Sequence, residues 1–207
     1  MKQCLISFVG IIGSGKTTVI NNINSILSAK GYPVISVVER VEKWTTEYNM
    51  LPAIENNTNE RSLAQVDIFY WFQEALRETK NFNGIVIMER SVQNAIKEFC
   101  SDITSPLALH VFNHFTEEEQ SRRIDLIVNL NTNIEDCLES IRIRNRPGEL
   151  VNMSYQEKYN YLLKLHENHI NYLESVDEER VFCIDRYNYN NCVAELVDRI
   201  IEVYNSK

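Results

Sequence analysis

Five short runs, Cys4–Val9, Val34–Val38, Ile85–Met88, Leu126–Leu130 and Val181–Ile184, are rich in Ile and Val and apolar almost throughout. A strand with one wet face alternates apolar and polar residues, so unbroken runs of this length predict strands buried on both faces. Between them lie longer segments of helical period: Lys16–Lys30, Arg61–Lys80, Val92–Cys100, Leu107–Gln120, Ile134–Arg146, Tyr155–Val176 and Cys192–Tyr204. Strand and helix in alternation predict parallel pairing through crossovers, hence a doubly wound α/β sheet of five parallel strands flanked by helices. Glu55–Glu60 is polar and aperiodic and predicts a loop; Pro147-Gly148 is a second break. With 207 residues, 44% hydrophobic and 24% charged, and no linker or repeat, residues 1–207 are expected to form a single domain.

The net charge of −8 repels a nucleic-acid backbone and argues against that class of partner. No apolar run reaches the roughly 18 residues that cross a membrane, and with the first strand beginning almost at Met1 no targeting peptide is expected ahead of it. Five widely spaced cysteines without a CxxC pair suit reduced, buried thiols, and a cytoplasmic location is expected. His166 and His169 lack a further ligand cluster and read as a solvated helix face rather than a zinc site.

Gly10-Ile11-Ile12-Gly13-Ser14-Gly15-Lys16-Thr17 satisfies GxxxxGK[ST] between a strand and a helix. Glycines let successive backbone N–H groups turn inward, and the helix start adds partial positive charge. Gly10, Gly13, Ser14, Gly15, Lys16, Thr17 and Thr18 are therefore expected to bind ATP, with Lys16 on the β- and γ-phosphates and the Thr17 hydroxyl on Mg²⁺. The second run ends at Glu39, and the third at Glu89-Arg90-Ser91. Ligands in such sheets lie beyond the carboxyl ends of the strands. Glu39 there suits a proton acceptor, Glu89 a magnesium ligand, and Arg90 a neutraliser of charge during transfer. On a continuous helix Arg142 and Arg146 share a face, with Arg144 turned away.

The P-loop, Glu39-x-Val41-Glu42-Lys43-Trp44, Gln65, Ile87-Met88-Glu89-Arg90-Ser91, Asp125–Val128 and Arg142-x-Arg144-x-Arg146-x-x-Glu149 together resemble the deoxynucleoside kinases, in order along nearly the whole chain. The resemblance implies a P-loop kinase fold and transfer of phosphate from ATP to the 5′-hydroxyl of a deoxynucleoside, in nucleotide salvage. It assigns Glu39 as general base, Arg90 beside the acceptor oxygen, and Glu89 in the magnesium site. Gln65 hydrogen-bonds the base, for which an amide offers donor and acceptor together. Trp44, Phe72 and Phe99 wall the base, and Ala95 lies beside it. Where deoxycytidine and deoxyguanosine kinases carry an aspartate and an arginine, this chain has the uncharged Ala95 and Phe72, which favours thymidine. Arg142, Arg144 and Arg146 belong to a lid, about 142–152, that covers the phosphates; Glu149 reaches the sugar 3′-hydroxyl; Asp185 and Arg186 lie near adenine. A homodimer is implied, with α-helical stretches 61–80 and 107–120 as candidate faces. Departures are Ile11, Arg40 and Ile96, and the sugar-binding tyrosine expected before Gln65 is not evident, Ile54 falling in its place with Tyr48 nearby. Rival readings are a thymidylate kinase, whose anionic acceptor disfavours a neighbouring carboxylate base, and a non-catalytic nucleotide switch, disfavoured by the lack of an Asn-Lys-x-Asp segment.

Overall fold

Each apolar run becomes a strand: β1 (Gln3–Val9), β2 (Val34–Val37), β3 (Gly84–Glu89), β4 (Leu126–Asn131) and β5 (Val181–Asp185). The computed structural model describes residues 2–38, 58–146, 149–150 and 152–207, with the side chains of 58–62, 118 and 121 outside that description. The strands form one parallel sheet in the order β2-β3-β1-β4-β5. The central β1 is the strand from which the chain builds first one side of the sheet and then the other. That reversal is where open parallel sheets bind ligands.

Successive side chains on a strand point to opposite faces. Cys4, Ile6 and Phe8 therefore join Ile85, Ile87 and Val128 in one layer, against Val19, Ile20, Ile23 and Leu27 of α1 (Lys16–Ala29). The same layer takes Leu196, Val197 and Ile200 of the C-terminal helix, Tyr189–Asn205. Leu5, Val9, Val86 and Met88 face the other way, onto Phe72 and Leu76 of α2 (Thr58–Glu78) and Tyr172 near the end of the helix Tyr155–Glu174. Burial on both faces explains why the runs of the three central strands carry no polar alternation. In chain order the remaining helices are α3 (Val92–Phe99), α4 (Pro106–Ser121), α5 (Ile134–Arg144), then α6 (Tyr155–Glu174) and α7 (Tyr189–Asn205).

The helix ends have local causes. α1 stops where Gly31 takes φ 84°, with Gly31 N–H on Ser28 O at 2.9 Å and Tyr32 N–H on Leu27 O at 3.0 Å. These two bonds satisfy carbonyls that the helix leaves open. α6 begins in a capping box of Ser154 and Glu157, each side chain bonded to the other's backbone. α2 starts at Thr58, inside the polar stretch expected to be loop, so Thr58–Glu60 belong to its first turn. α5 stops at Arg144 rather than Arg146, because Asn145 enters the left-handed region at φ 44° and its N–H bonds Ile141 O. The break at 147–148 lies outside the described residues. Cys4, Cys100, Cys137 and Cys192 are buried, whereas Cys183 is exposed, contrary to the expectation for all five.

Candidate active site

β1 delivers the chain into the glycine-rich turn, and two of its glycines are required by geometry. At Gly13 (φ 85°) a Cβ would sit 2.5 Å from the backbone oxygen of Cys137 on α5. At Gly15 (φ 92°) a Cβ would meet nothing within 4 Å, so there only the left-handed backbone calls for glycine. Gly15 caps α1, whose first N–H groups open into the turn. The Lys16 ammonium, almost fully buried, donates to Gly10 O at 2.7 Å and Ile11 O at 3.1 Å and so lies across the loop. The Ser14 hydroxyl is buried with no hydrogen-bond partner among the described residues.

Register then brings β3 to the same place. Phe8 pairs with Glu89, and Arg90 N–H donates to Phe8 O at 2.8 Å. The Thr17 hydroxyl donates to Glu89 Oε1 at 2.8 Å. Two hard oxygen donors in contact at the end of the phosphate loop fit a magnesium ion, which favours carboxylate and hydroxyl oxygens alongside water and phosphate. Beyond Ser14, Gly15 and Thr18 a cavity of about 290 Å³ continues between Ile184, Arg186 and Tyr189, a fit for the rest of a nucleotide. Arg186 lines it. The neighbouring Asp185 accepts from Tyr187 N–H through Oδ1 at 2.9 Å. Tyr189 went unnoticed in the sequence; its signal is only that it opens α7 directly after β5.

Arg90 adopts φ 82°, in the left-handed region, at 2% exposure. Its Nη1 forms an ion pair with Glu98 and lies 3.4 Å from Asn94 Oδ1, and its guanidinium stacks 4.6 Å from the centre of Phe99. Two helices hold the turn that carries it. The Ser91 hydroxyl caps Asn94 N–H at 3.0 Å and lies 3.3 Å from Tyr172 Oη on α6. Glu119 on α4 accepts from Val92 N–H at 2.7 Å and Gln93 N–H at 3.1 Å. Burial pushes the Glu119 carboxyl up to about 7, even though both backbone bonds oppose the shift.

Gln65 on α2 is buried, and its Oε1 has no hydrogen-bond partner among the described residues. An unmade buried bond of this kind costs about 1–3 kcal/mol. Ala95 is buried beside Phe69 and Val92. Phe72, 1% exposed, packs wholly into the sheet-facing core. Glu39 and Trp44 lie outside the described residues, as do Arg40, Tyr48 and Ile54; β2 ends at Val37, opposite Met88.

The expected lid arginines are not equivalent. Arg142 is exposed and turned back along α5 onto Glu139, at 2.7 and 2.6 Å. Arg144 forms a two-point pair with Glu149, with Nε to Oε2 at 2.8 Å, and Arg146 approaches the same carboxylate at 4.0 Å. The helix end at Asn145 brings Arg144 and Arg146 to one acceptor, where a continuous helix keeps them apart.

His169 corrects the sequence reading. It is 3% exposed and sits among buried amides, rather than on a solvated face. The overlooked signal is the stripe Leu162, Leu165, His169, Tyr172, whose 3-4-3 spacing marks the buried side of α6.

The deoxynucleoside kinase family profile matches residues 6–204. The chain belongs to the deoxynucleoside kinase family. Among solved structures, this kinase resembles a deoxyadenosine kinase from M. mycoides, determined with the products dCMP and a flexible dCDP bound. The TM-score is 0.70, over 95% of this chain and 98% of that one at 16% identity, and the likeness shows a shared fold. No curated protein matches the sequence. Family membership makes the kinase a nucleoside-phosphorylating enzyme with ATP as donor, and sets aside the thymidylate kinase and switch readings. Among the described residues no helix is long and apolar enough to cross a membrane.

Proposed function

We propose that this kinase phosphorylates the 5′-hydroxyl of pyrimidine deoxynucleosides, thymidine first, in cytoplasmic nucleotide salvage, with residues 1–207 working as one domain. The observation that carries the preference is the Gln65 amide, buried with an unpartnered oxygen. One donor and one acceptor on a planar head complement a pyrimidine edge, and the uncharged Ala95 and Phe72 supply no second ionic contact to the base. Phe99 and Trp44 complete the walls.

The roles follow from the chemistry of transfer. The P-loop amides with Ser14 and Thr18 cradle the phosphates, and Lys16 exchanges its two carbonyl bonds for phosphate oxygens. Thr17 and Glu89 would hold magnesium, which when bound neutralises charge on the phosphate oxygens. Arg142, Arg144 and Arg146 offer further cationic contacts, and Glu149 the sugar contact. Arg90 holds the acceptor oxygen, and Glu39 takes its proton; the support for Glu39 is its place two residues past β2. Leu63 and Tyr70 on α2 and Leu107 and Leu109 on α4 are exposed, which supports a homodimer through these helices.

ADP release with thymidine, deoxycytidine, deoxyadenosine, deoxyguanosine or thymidine monophosphate as acceptor tests the reading. Thymidine is expected to lead, deoxycytidine to follow, and purines to trail; deoxyadenosine in first place overturns the pyrimidine assignment. Glu39→Gln is expected to lower kcat roughly 10²–10⁴-fold, about 3–5 kcal/mol, with ATP still bound. Near-normal turnover in that variant removes Glu39 as base.

A further inference from the structure

Four buried polar groups on three separate elements are threaded from the Arg90 turn to the strand beside the phosphate loop. Arg90 Nη1 lies 3.4 Å from Asn94 Oδ1, and Asn94 Nδ2 lies 3.2 Å from His169 Nδ1. His169 Nε2 lies 2.8 Å from Asn129 Oδ1, and Asn129 Nδ2 lies 3.7 Å from Cys183 Sγ. Arg90 only donates, so the Asn94 oxygen must face it and the Asn94 amide N–H must face His169. Nδ1 then has to accept, which leaves the ring proton on Nε2, where it donates to Asn129 Oδ1. The Asn129 amide N–H is left pointing at the Cys183 sulfur. Every donor therefore points the same way along the thread, from Arg90 to Cys183. Aligned bonds of this kind polarise and strengthen one another.

Asn94 is 0% exposed, Asn129 7% and His169 3%, so no member finds a substitute partner in water. Asn129 is on β4 opposite Val9, the last residue of β1 before the phosphate loop. We infer that His169 is a positioning residue for phosphoryl transfer. Its neutral ring fixes the Asn94 amide with the oxygen towards Arg90, and ties that arginine to the strand next to the ATP site. Without the ring, the Asn94 N–H loses its buried acceptor and the arginine loses its tie to Asn129 on β4. The inference rests on the proposed role of Arg90 at the acceptor oxygen. Burial first, then the charges of Arg90, Lys16 and His166, push the ring down to about 3, which keeps it neutral as the thread requires.

The test compares His169→Leu, His169→Gln, Asn94→Leu and the His169→Leu/Asn94→Leu double variant, with Arg90→Lys alongside, in the ADP-release assay on folded protein. His169→Leu should lower kcat roughly 10–100-fold, the scale of a small misplacement of a reacting group, while KM for ATP is retained. His169→Gln, whose amide again accepts and donates, should recover much of that loss. The double variant should be no worse than the poorer single variant. Unchanged kcat in His169→Leu, or losses that multiply in the double variant, overturns the relay. Normal turnover in Arg90→Lys overturns the role of Arg90 and the inference with it, whereas a defect there beside a normal His169→Leu overturns the relay alone. Imidazole ¹⁵N shifts of the unaltered protein need no variant to fold. They should show the proton on Nε2 and no titration between about pH 5 and 8, and an Nδ1 proton or an ordinary titration in that range overturns the inference.

Discussion

The Arg90–Glu98 pair allows fold and chemistry to be separated by substitution. Its side chains are 2% and 0% exposed, so neither charge is screened by water. Removing one member of such a pair leaves the other charged in a low-dielectric interior, at a cost of about 3–5 kcal/mol. In a domain of this size each kcal/mol moves Tm by about 2–4 °C, so Glu98→Gln should lower Tm by roughly 6–20 °C. Arg90→Met takes the buried cation away from Glu98 instead and also gives up the stacking on Phe99, worth about 2 kcal/mol when desolvated, so it should fall further. Replacing both by methionine removes both charges and restores apolar packing, a change that is often neutral or stabilising. The double variant should therefore melt near the unaltered protein and yet turn over nucleoside as poorly as Arg90→Met. Scanning calorimetry and ADP release on the same samples give the two readings. Single variants within about 2 °C of the parent, or a double variant as unstable as the sum of the singles, would refute a buried, mutually compensating pair.

Gln65→Leu removes a buried polar atom that lacks a partner and should raise Tm by a few degrees, about 1–3 kcal/mol, while nucleoside KM rises and base discrimination weakens. Glu119 titrates near 7 when folded against 4.5 otherwise, so the folded form binds more protons between those values. Its contribution to stability is complete below about pH 4.5 and is lost as pH rises through 7, on the order of 3 kcal/mol. Urea unfolding at pH 5 and 7.5 should show that slope, and Glu119→Gln should flatten it. Gly13→Ala forces a methyl group into the Cys137 carbonyl and should cost more stability than Gly15→Ala, which carries only the backbone penalty of about 1–2 kcal/mol; thermal melts of the two variants decide it.

The strands were legible because a strand buried on both faces has only one way to look in sequence. Val34–Val37 and Val181–Asp185, at the edges of the sheet, are less buried than the central strands and were found because their residues are still mostly apolar. The phosphate loop was legible for a different reason, since its glycines answer to backbone geometry and not to packing. The end of α5 was not legible, because one asparagine in a left-handed conformation outweighed a helical pattern that continues through Arg146. Nor was His169, since polar neighbours such as Glu167 and Asn168 mask the stripe it belongs to, and burying a ring among amides leaves no compositional trace. The contact of Thr17 with Glu89 joins residues 72 positions apart and emerges only from the pairing of β1 with β3.

The carboxylate shared by Arg144 and Arg146 is tethered to them by the chain. It sits next to Leu150, whose side chain is wholly buried, so it cannot drift away, and its local concentration is in the millimolar range or above. Any dissolved anion that takes either guanidinium must first displace Glu149, so a single weak contact is not enough to open this corner of the fold.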